Sequence, residues 1–234
     1  RRLEKDSIPF RLTLSISSTL AAMLGDELLQ TRYISHIKRL IELTEKEKNR
    51  TQNEPEFHRL ASMYCDIFKQ NYEDFTGLYK KNILKGIKYF QEKGYLELIT
   101  CSATHCFLPF IENYPQNVEA QIKLAVLSHE KIFEQKPKGI WLPECGYYPG
   151  IEKHLKNNGI NFFFTDTHGI LFAERKPKYG IYAPICCNNL VAAFGREPAS
   201  SWAVWSSEDG YPGDYQYREY YRDIGYDLPL DYIR

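Results

Sequence analysis

The chain has 234 residues, 43% of them hydrophobic and 26% charged, with 30 basic side chains set against 30 acidic ones. That is enough material for one globular domain or most of one. The zero formal net charge excludes an affinity built on displacing phosphate counterions, so no nucleic-acid partner is expected. No run approaches the roughly 18 apolar residues of a membrane helix, and no membrane partner or targeting segment is expected.

In chain order, residues 11–18 alternate Leu12, Leu14 and Ile16 with polar residues and predict a strand. Apolar residues then recur at spacings of three and four over about residues 20–47 and 56–93, predicting two long helices joined by the polar loop 49–55 and ended by Gly94. Residues 96–101 (LELITC) predict a buried strand running into Ser102-Ala103-Thr104-His105, followed by a loop over 109–115. Val118, Ile122, Val126, His129 and Phe133 mark a further amphipathic helix. Residues 139–143 then read as a strand, 150–158 as a short helix closed by Gly159, and 160–165 as another strand.

Strands alternating with helices predict parallel β/α units, and apolar strands with no polar face predict cover on both sides. The fold class expected is α/β, an incomplete and distorted (β/α)7 barrel with long helical insertions after an early strand. No GxGxxG or GxxxxGK[ST] turn follows any strand. Residues 181–187 and 190–194, joined through Asn188-Asn189, predict a hairpin. Residues 195–214 read as one long polar loop carrying Trp202, Trp205 and Tyr211, and a loop of that length is usually functional or disordered.

The candidate site residues stand at strand ends. In parallel α/β architecture the carboxyl ends of the strands share one face, where active sites assemble. Ser17-Ser18, Thr104-His105, Glu144 and Asp166 with His168 each close an apolar run. Glu144 is the sharpest of them, wedged between Trp141-Leu142-Pro143 and the aromatic turn Gly146-Tyr147-Tyr148-Pro149. Burying a carboxylate there costs several kcal/mol unless it is hydrogen bonded or used; the plainer alternative is a capping or ion-paired Glu.

His105, Asp166 and His168 have a rival reading as ligands of Zn²⁺ or another divalent ion, as in a metal-dependent deacetylase, although neither HExxH nor CxxC is present. The six cysteines form no CxxC pair and fit reduced thiols and a cytoplasmic location. Cys145 neighbours Glu144, but a buried cysteine is more often a small hydrophobe than a nucleophile. Trp202, Trp205 and Tyr211 present ring faces suited to a pyranose, or else anchor their loop. Arg218 and Arg222 lie four apart, placed to orient carboxylates or to pair with Glu219 and Asp223.

Three segments, Ala103-Thr104-His105-Cys106-Phe107-Leu108-Pro109, Trp141-Leu142-Pro143-Glu144-Cys145-Gly146-Tyr147-Tyr148-Pro149-Gly150 and Phe163-Phe164-Thr165-Asp166-Thr167-His168-Gly169, together resemble the α-glucan branching enzymes of glycoside hydrolase family fifty-seven. Ala192-Ala193-Phe194-Gly195-Arg196, Gly210-Tyr211-Pro212-Gly213-Asp214 and Tyr217-Arg218-Glu219 fit the same subgroup, in order across residues 11–234. The resemblance implies a (β/α)7 barrel with Glu144 as the nucleophile of a retaining mechanism. It implies that His105 lines the donor subsite, that Asp166 and His168 shape the same pocket, and that segment 196–214 covers the cleft; Trp141, Trp202, Trp205, Tyr211, Arg218 and Arg222 are further candidate substrate-binding residues. It implies an α-glucan substrate, no cofactor and no metal. Two carboxyl groups about 5–5.5 Å apart flank the bond in retaining chemistry, and the family's acid/base Asp lies on a later strand. The chain begins at Arg1-Arg2 without Met and ends after a periodic segment. It is therefore expected to be the central part of the barrel, without the family's N-terminal strand or C-terminal helical domain, and inactive by itself. Rival activities are an α-amylase or 4-α-glucanotransferase of the same family, the deacetylase, and a non-catalytic glucan-binding remnant.

Overall fold

Local signals in the sequence set where each element starts. Ser17 accepts a hydrogen bond from Leu20 N at 3.1 Å and caps α2 (Ser18–Gly25), and Asp26 does the same for α3 (Glu27–Arg50) through Leu29 N at 2.8 Å. The predicted helix over 20–47 is therefore two helices, because Asp26 adopts an extended cap conformation between them. Pro55 opens α4 (Pro55–Glu73), which passes into a π-helical turn at Asp74–Leu78. Lys80 and Lys81 then take left-handed backbone, with φ of 47° and 67°, and Asn82 caps α5 (Ile83–Glu92). The predicted helix over 56–93 is thus also broken in two.

The computed structural model describes residues 1–214, 216–217 and 228–233. It divides into two units, residues 1–106 with 120–138, and residues 107–119 with 139–234. The first unit contains α1 (Arg2–Lys5), β1 (Leu12–Ser15), α2 to α5 and β2 (Leu96–Cys101). The strands β1 and β2 pair in parallel with Leu12 opposite Leu96 and Ser15 opposite Ile99. Ile16, Ala21, Leu98 and Phe133 form the core there, with Leu84, Ile87 and Leu96 packed against it. In β1, which alternates apolar and polar residues, Leu12 and Leu14 are exposed at 57% and 37%.

The boundary between the units falls inside α6 (Pro115–Phe133). The second unit holds β3 (Gly139–Trp141), α7 (Ile151–Asn157), β4 (Phe162–Thr165), α8 (Thr167–Leu171), β5 (Ile185–Cys186), β6 (Ala192–Gly195), α9 (Pro198–Trp205) and α10 (Leu230–Ile233). Its strands run in the order β3-β4-β6-β5, with β3, β4 and β6 mutually parallel and β5 antiparallel to β6. Gly139 lies opposite Phe162, whose ring occupies the place a Cβ would take. Alternation along the strands buries Ile140, Phe163 and Ala193 on one face. On the other face Trp141, Phe164 and Phe194 form a row of half-buried rings, with centroids 6.0 and 5.7 Å apart.

The predicted hairpin is β5–β6, closed through residues 187–191 by Cys187 N donating to Val191 O and Leu190 N to Cys187 O. The single loop expected over 195–214 is a helix, α9, followed by a 3-10 turn at Tyr211–Gly213. Glu197 accepts hydrogen bonds from Ala199 N and Ser200 N, and Pro198 stands at the first helical position. Among the described residues no helix is long and apolar enough to cross a membrane.

Candidate active site

The site is built at the carboxyl ends of β3, β4 and β6. After Trp141 the chain turns sharply through Pro143–Cys145, and both Glu144 and Cys145 sit in the left-handed region, with φ of 52° and 55°. Each such non-glycine residue costs on the order of 1–3 kcal/mol and persists only where its surroundings over-determine it. The surroundings here do so. Cys145 N donates to Leu142 O at 2.9 Å, Gly146 N to Pro143 O at 3.0 Å, and Thr165 Oγ1 on β4 to Cys145 O at 3.3 Å. The turn buries Cys145 at 6% exposure and leaves Glu144 exposed. Glu144 is therefore not the enclosed carboxylate expected from its neighbours, because two consecutive left-handed residues turn the chain over and send the cysteine inward.

Arg196, at the end of β6, points its guanidinium at this turn, with Nη1 3.8 Å from Cys145 Sγ. Its own backbone is fixed to β4, since Arg196 N donates to Thr165 O at 3.0 Å and Thr167 Oγ1 to Arg196 O at 2.6 Å. Burial pushes the Cys145 thiol above its ordinary range; Arg196 pulls it back, and the charges of Asp166 and Glu144 add to the rise. A buried thiol with a raised pKa is a poor nucleophile, which removes the case for Cys145 as the attacking group.

Asp166 caps α8 by accepting from Thr167 N at 2.7 Å. It also lines a pocket of about 220 Å³ with Arg196, Pro198, Ser201, Trp202 and Trp205. The structure thus brings together three of the expected substrate residues, Asp166, Trp202 and Trp205. It joins to them Arg196, which the sequence reading did not single out although it too follows an apolar strand end. Trp202 and Trp205 are 54% and 76% exposed, so most of each indole is available. Tyr211 stands on the turn after α9, 52% exposed, and meets Tyr217 edge-on at 5.8 Å. His168 is an exposed residue of α8 whose Nδ1 is 3.9 Å from Asp166 Oδ2. Trp141 belongs to the aromatic row on the strands and is half-buried. Arg218 and Arg222 lie outside the described residues.

His105 belongs to the first unit, just after β2, with φ of 55°. The turn carrying it is tied by His105 N to Ser102 O at 3.0 Å, Ser102 Oγ to Cys106 O at 3.1 Å, and Thr104 N to Gln121 Oε1 at 3.1 Å. Its Nδ1 lies 3.1 Å from Cys101 Sγ. Among the described residues no group of three or more His, Cys, Asp or Glu side chains is arranged to hold a metal ion.

The sequence matches glycosyl hydrolase family 57 over residues 2–203. The chain belongs to this family. Known proteins resemble it in sequence and in structure. A 1,4-alpha-glucan branching enzyme of Thermococcus kodakarensis is 28% identical over 250 residues, covering 94% of this chain and 36% of that protein. The crystal structure of the alpha-amylase AmyC from Thermotoga maritima superposes with a TM-score of 0.89 at 47% identity, over 96% of this chain and 43% of that one. The GH57-type branching enzyme of Pyrococcus horikoshii does so with a TM-score of 0.84 at 31% identity, over 94% and 43%. The chain therefore spans less than half the length of these three proteins.

Proposed function

We propose that the protein is a retaining α-glucan branching transferase that acts on glycogen- or starch-like polymer in the cytoplasm. The observation that carries this reading is Glu144, an exposed carboxylate on a left-handed turn at a strand end, whose next residue, Cys145, meets Arg196 of a pocket lined also by Asp166, Trp202 and Trp205. Glu144 attacks the anomeric carbon of an α-1,4-linked glucan and forms a covalent glycosyl-enzyme, while an acid protonates the departing oxygen. A glucan 6-hydroxyl then takes the glycosyl group from Glu144, forming the α-1,6 branch. The tryptophan faces suit the C–H face of a pyranose, and Asp166 and Arg196 suit its hydroxyls. His105, after the end of β2, is read as a sugar-contacting residue. In the same reading residues 1–234 are the central part of a (β/α)7 barrel, so the assay uses the family-length protein that carries them.

An α-amylase is the second reading, supported by the 47% identity to AmyC. Incubation with amylose separates the two. New α-1,6 branch points in excess of new reducing ends, abolished by Glu144→Gln, are the expected result. Reducing ends without branch points decide for the amylase, and a Glu144→Gln variant that keeps a tenth or more of its activity removes Glu144 as nucleophile.

A further inference from the structure

We propose that Cys101 is the positioning residue of His105: its thiol donates to Nδ1, keeps the imidazole hydrogen on Nε2, and so presents an N–H to a sugar oxygen. The inference rests on the reading of His105 as a sugar-contacting residue.

Cys101 is the last residue of β2 and is 2% exposed, whereas His105 is exposed. The intervening turn folds His105 back over the strand end, and the hydrogen bonds of Ser102, Thr104 and Gln121 hold it there. Its left-handed backbone is the feature that brings Nδ1 to 3.1 Å from Sγ across only four residues. An extended residue would send the ring away from the strand it follows.

The chemistry of the two atoms sets the direction of the bond. A thiol enclosed at a strand end keeps its proton, because the thiolate loses hydration on burial. An unprotonated imidazole nitrogen is a much better acceptor than sulfur. The bond then runs from S–H to Nδ1, and the ring hydrogen sits on Nε2. The partner of one ring nitrogen commonly fixes the role of the other.

The test is the imidazole nitrogen spectrum of protein labelled with ¹⁵N-histidine, with the His105 signals identified by their loss in His105→Gln. Wild type is expected to show Nδ1 bare and Nε2 protonated. Cys101→Ala, or Cys101→Val if the alanine variant does not fold, is expected to give a mixture of tautomers and to weaken maltoheptaose binding about fivefold to tenfold. Cys101→Ser, which restores a donor, is expected to recover both. A hydrogen on Nδ1 in wild type, or a tautomer unmoved in Cys101→Ala and Cys101→Val, overturns the proposal. A tautomer that shifts while maltoheptaose binding stays constant leaves the orientation by Cys101 standing and refutes the sugar contact by His105.

Discussion

Arg196 Nη1 sits 3.8 Å from Cys145 Sγ, and that contact joins the end of β6 to the turn that carries Glu144. Two further bonds complete the tie: Thr165 Oγ1 reaches from β4 to Cys145 O, and Thr167 Oγ1 reaches to Arg196 O. Three parallel strand ends are thus cross-linked through side chains as well as through the ladder. The strained residue is then held by β4 and β6 as well as by its own strand.

The strain at Glu144 predicts a trade between stability and activity. Its φ of 52° and ψ of 27° suit glycine, and a glycine there removes a penalty of about 1 kcal/mol. Glu144→Gly is therefore expected to melt higher than wild type while losing all glucan transfer, whereas Glu144→Gln loses transfer with an unchanged melting temperature. Thermal melts of the three proteins check it, and a Glu144→Gly protein less stable than wild type contradicts the account of the turn.

Arg196→Ala leaves the backbone ties of β6 in place and removes the side chain beyond Cβ, guanidinium included. Arg196 lowers the pKa of a thiol that burial has raised, so its loss moves the Cys145 pKa further upward. At a fixed pH of about 8.5 the thiolate fraction then falls. Iodoacetamide labelling of Cys145, followed by peptide mapping, is expected to slow in the variant. Transfer activity is expected to drop more than tenfold, about 1.4 kcal/mol or more, because the pocket wall facing Asp166 is lost. Labelling that speeds up contradicts the electrostatic role.

Much of this arrangement is legible in the chain. LELITC and INFFFT are apolar and β-rich enough to be strands wherever they are placed, and the polar residues that follow them are where the candidate groups stand. The breaks in the long helices escaped the periodicity, because Asp26 and the pair Lys80-Lys81 interrupt it by local capping and positive φ without changing the apolar spacing. Helix α9 escaped for another reason. It buries no residue, so no apolar stripe marks it, and only Glu197-Pro198 signals its start. The exposure of Glu144 depends on two consecutive non-glycine residues adopting left-handed backbone, a choice enforced by Thr165 and by Arg196, which follows it by 52 positions.

Gly210 and Gly213 set the position of Tyr211 against α9. A Cβ on Gly210 would meet Ser206 O at 2.6 Å and Ala203 O at 3.0 Å, and one on Gly213 would run into the Ser207 carbonyl. Gly210→Ala is expected to displace the turn and raise hydrolysis relative to transfer, and Trp202→Ala is expected to do the same by removing a ring from the pocket. Because Trp202 is 54% exposed, its truncation should change stability by no more than about 0.5 kcal/mol. The ratio of reducing ends to branch points, measured beside a thermal melt, checks both. An unchanged ratio in both variants counts against water exclusion by this segment.

His129 makes the first unit sensitive to acid. The ring is 3% exposed, packs on Phe133 with centroids 4.8 Å apart, and among the described residues neither of its nitrogens has a hydrogen-bond partner. Burial lowers its pKa from 6.5 to about 4. The folded state therefore holds the ring neutral across a range where the unfolded chain takes up a proton. Stability is fully present above pH 6.5, falls as the pH drops toward 4, and levels off below that. The full effect is on the order of 3 kcal/mol. His129→Leu, which keeps an apolar side chain beside Phe133, is expected to flatten this limb of the melting-temperature profile between pH 6.5 and 4. A profile as steep in His129→Leu as in wild type assigns the acid sensitivity to other groups.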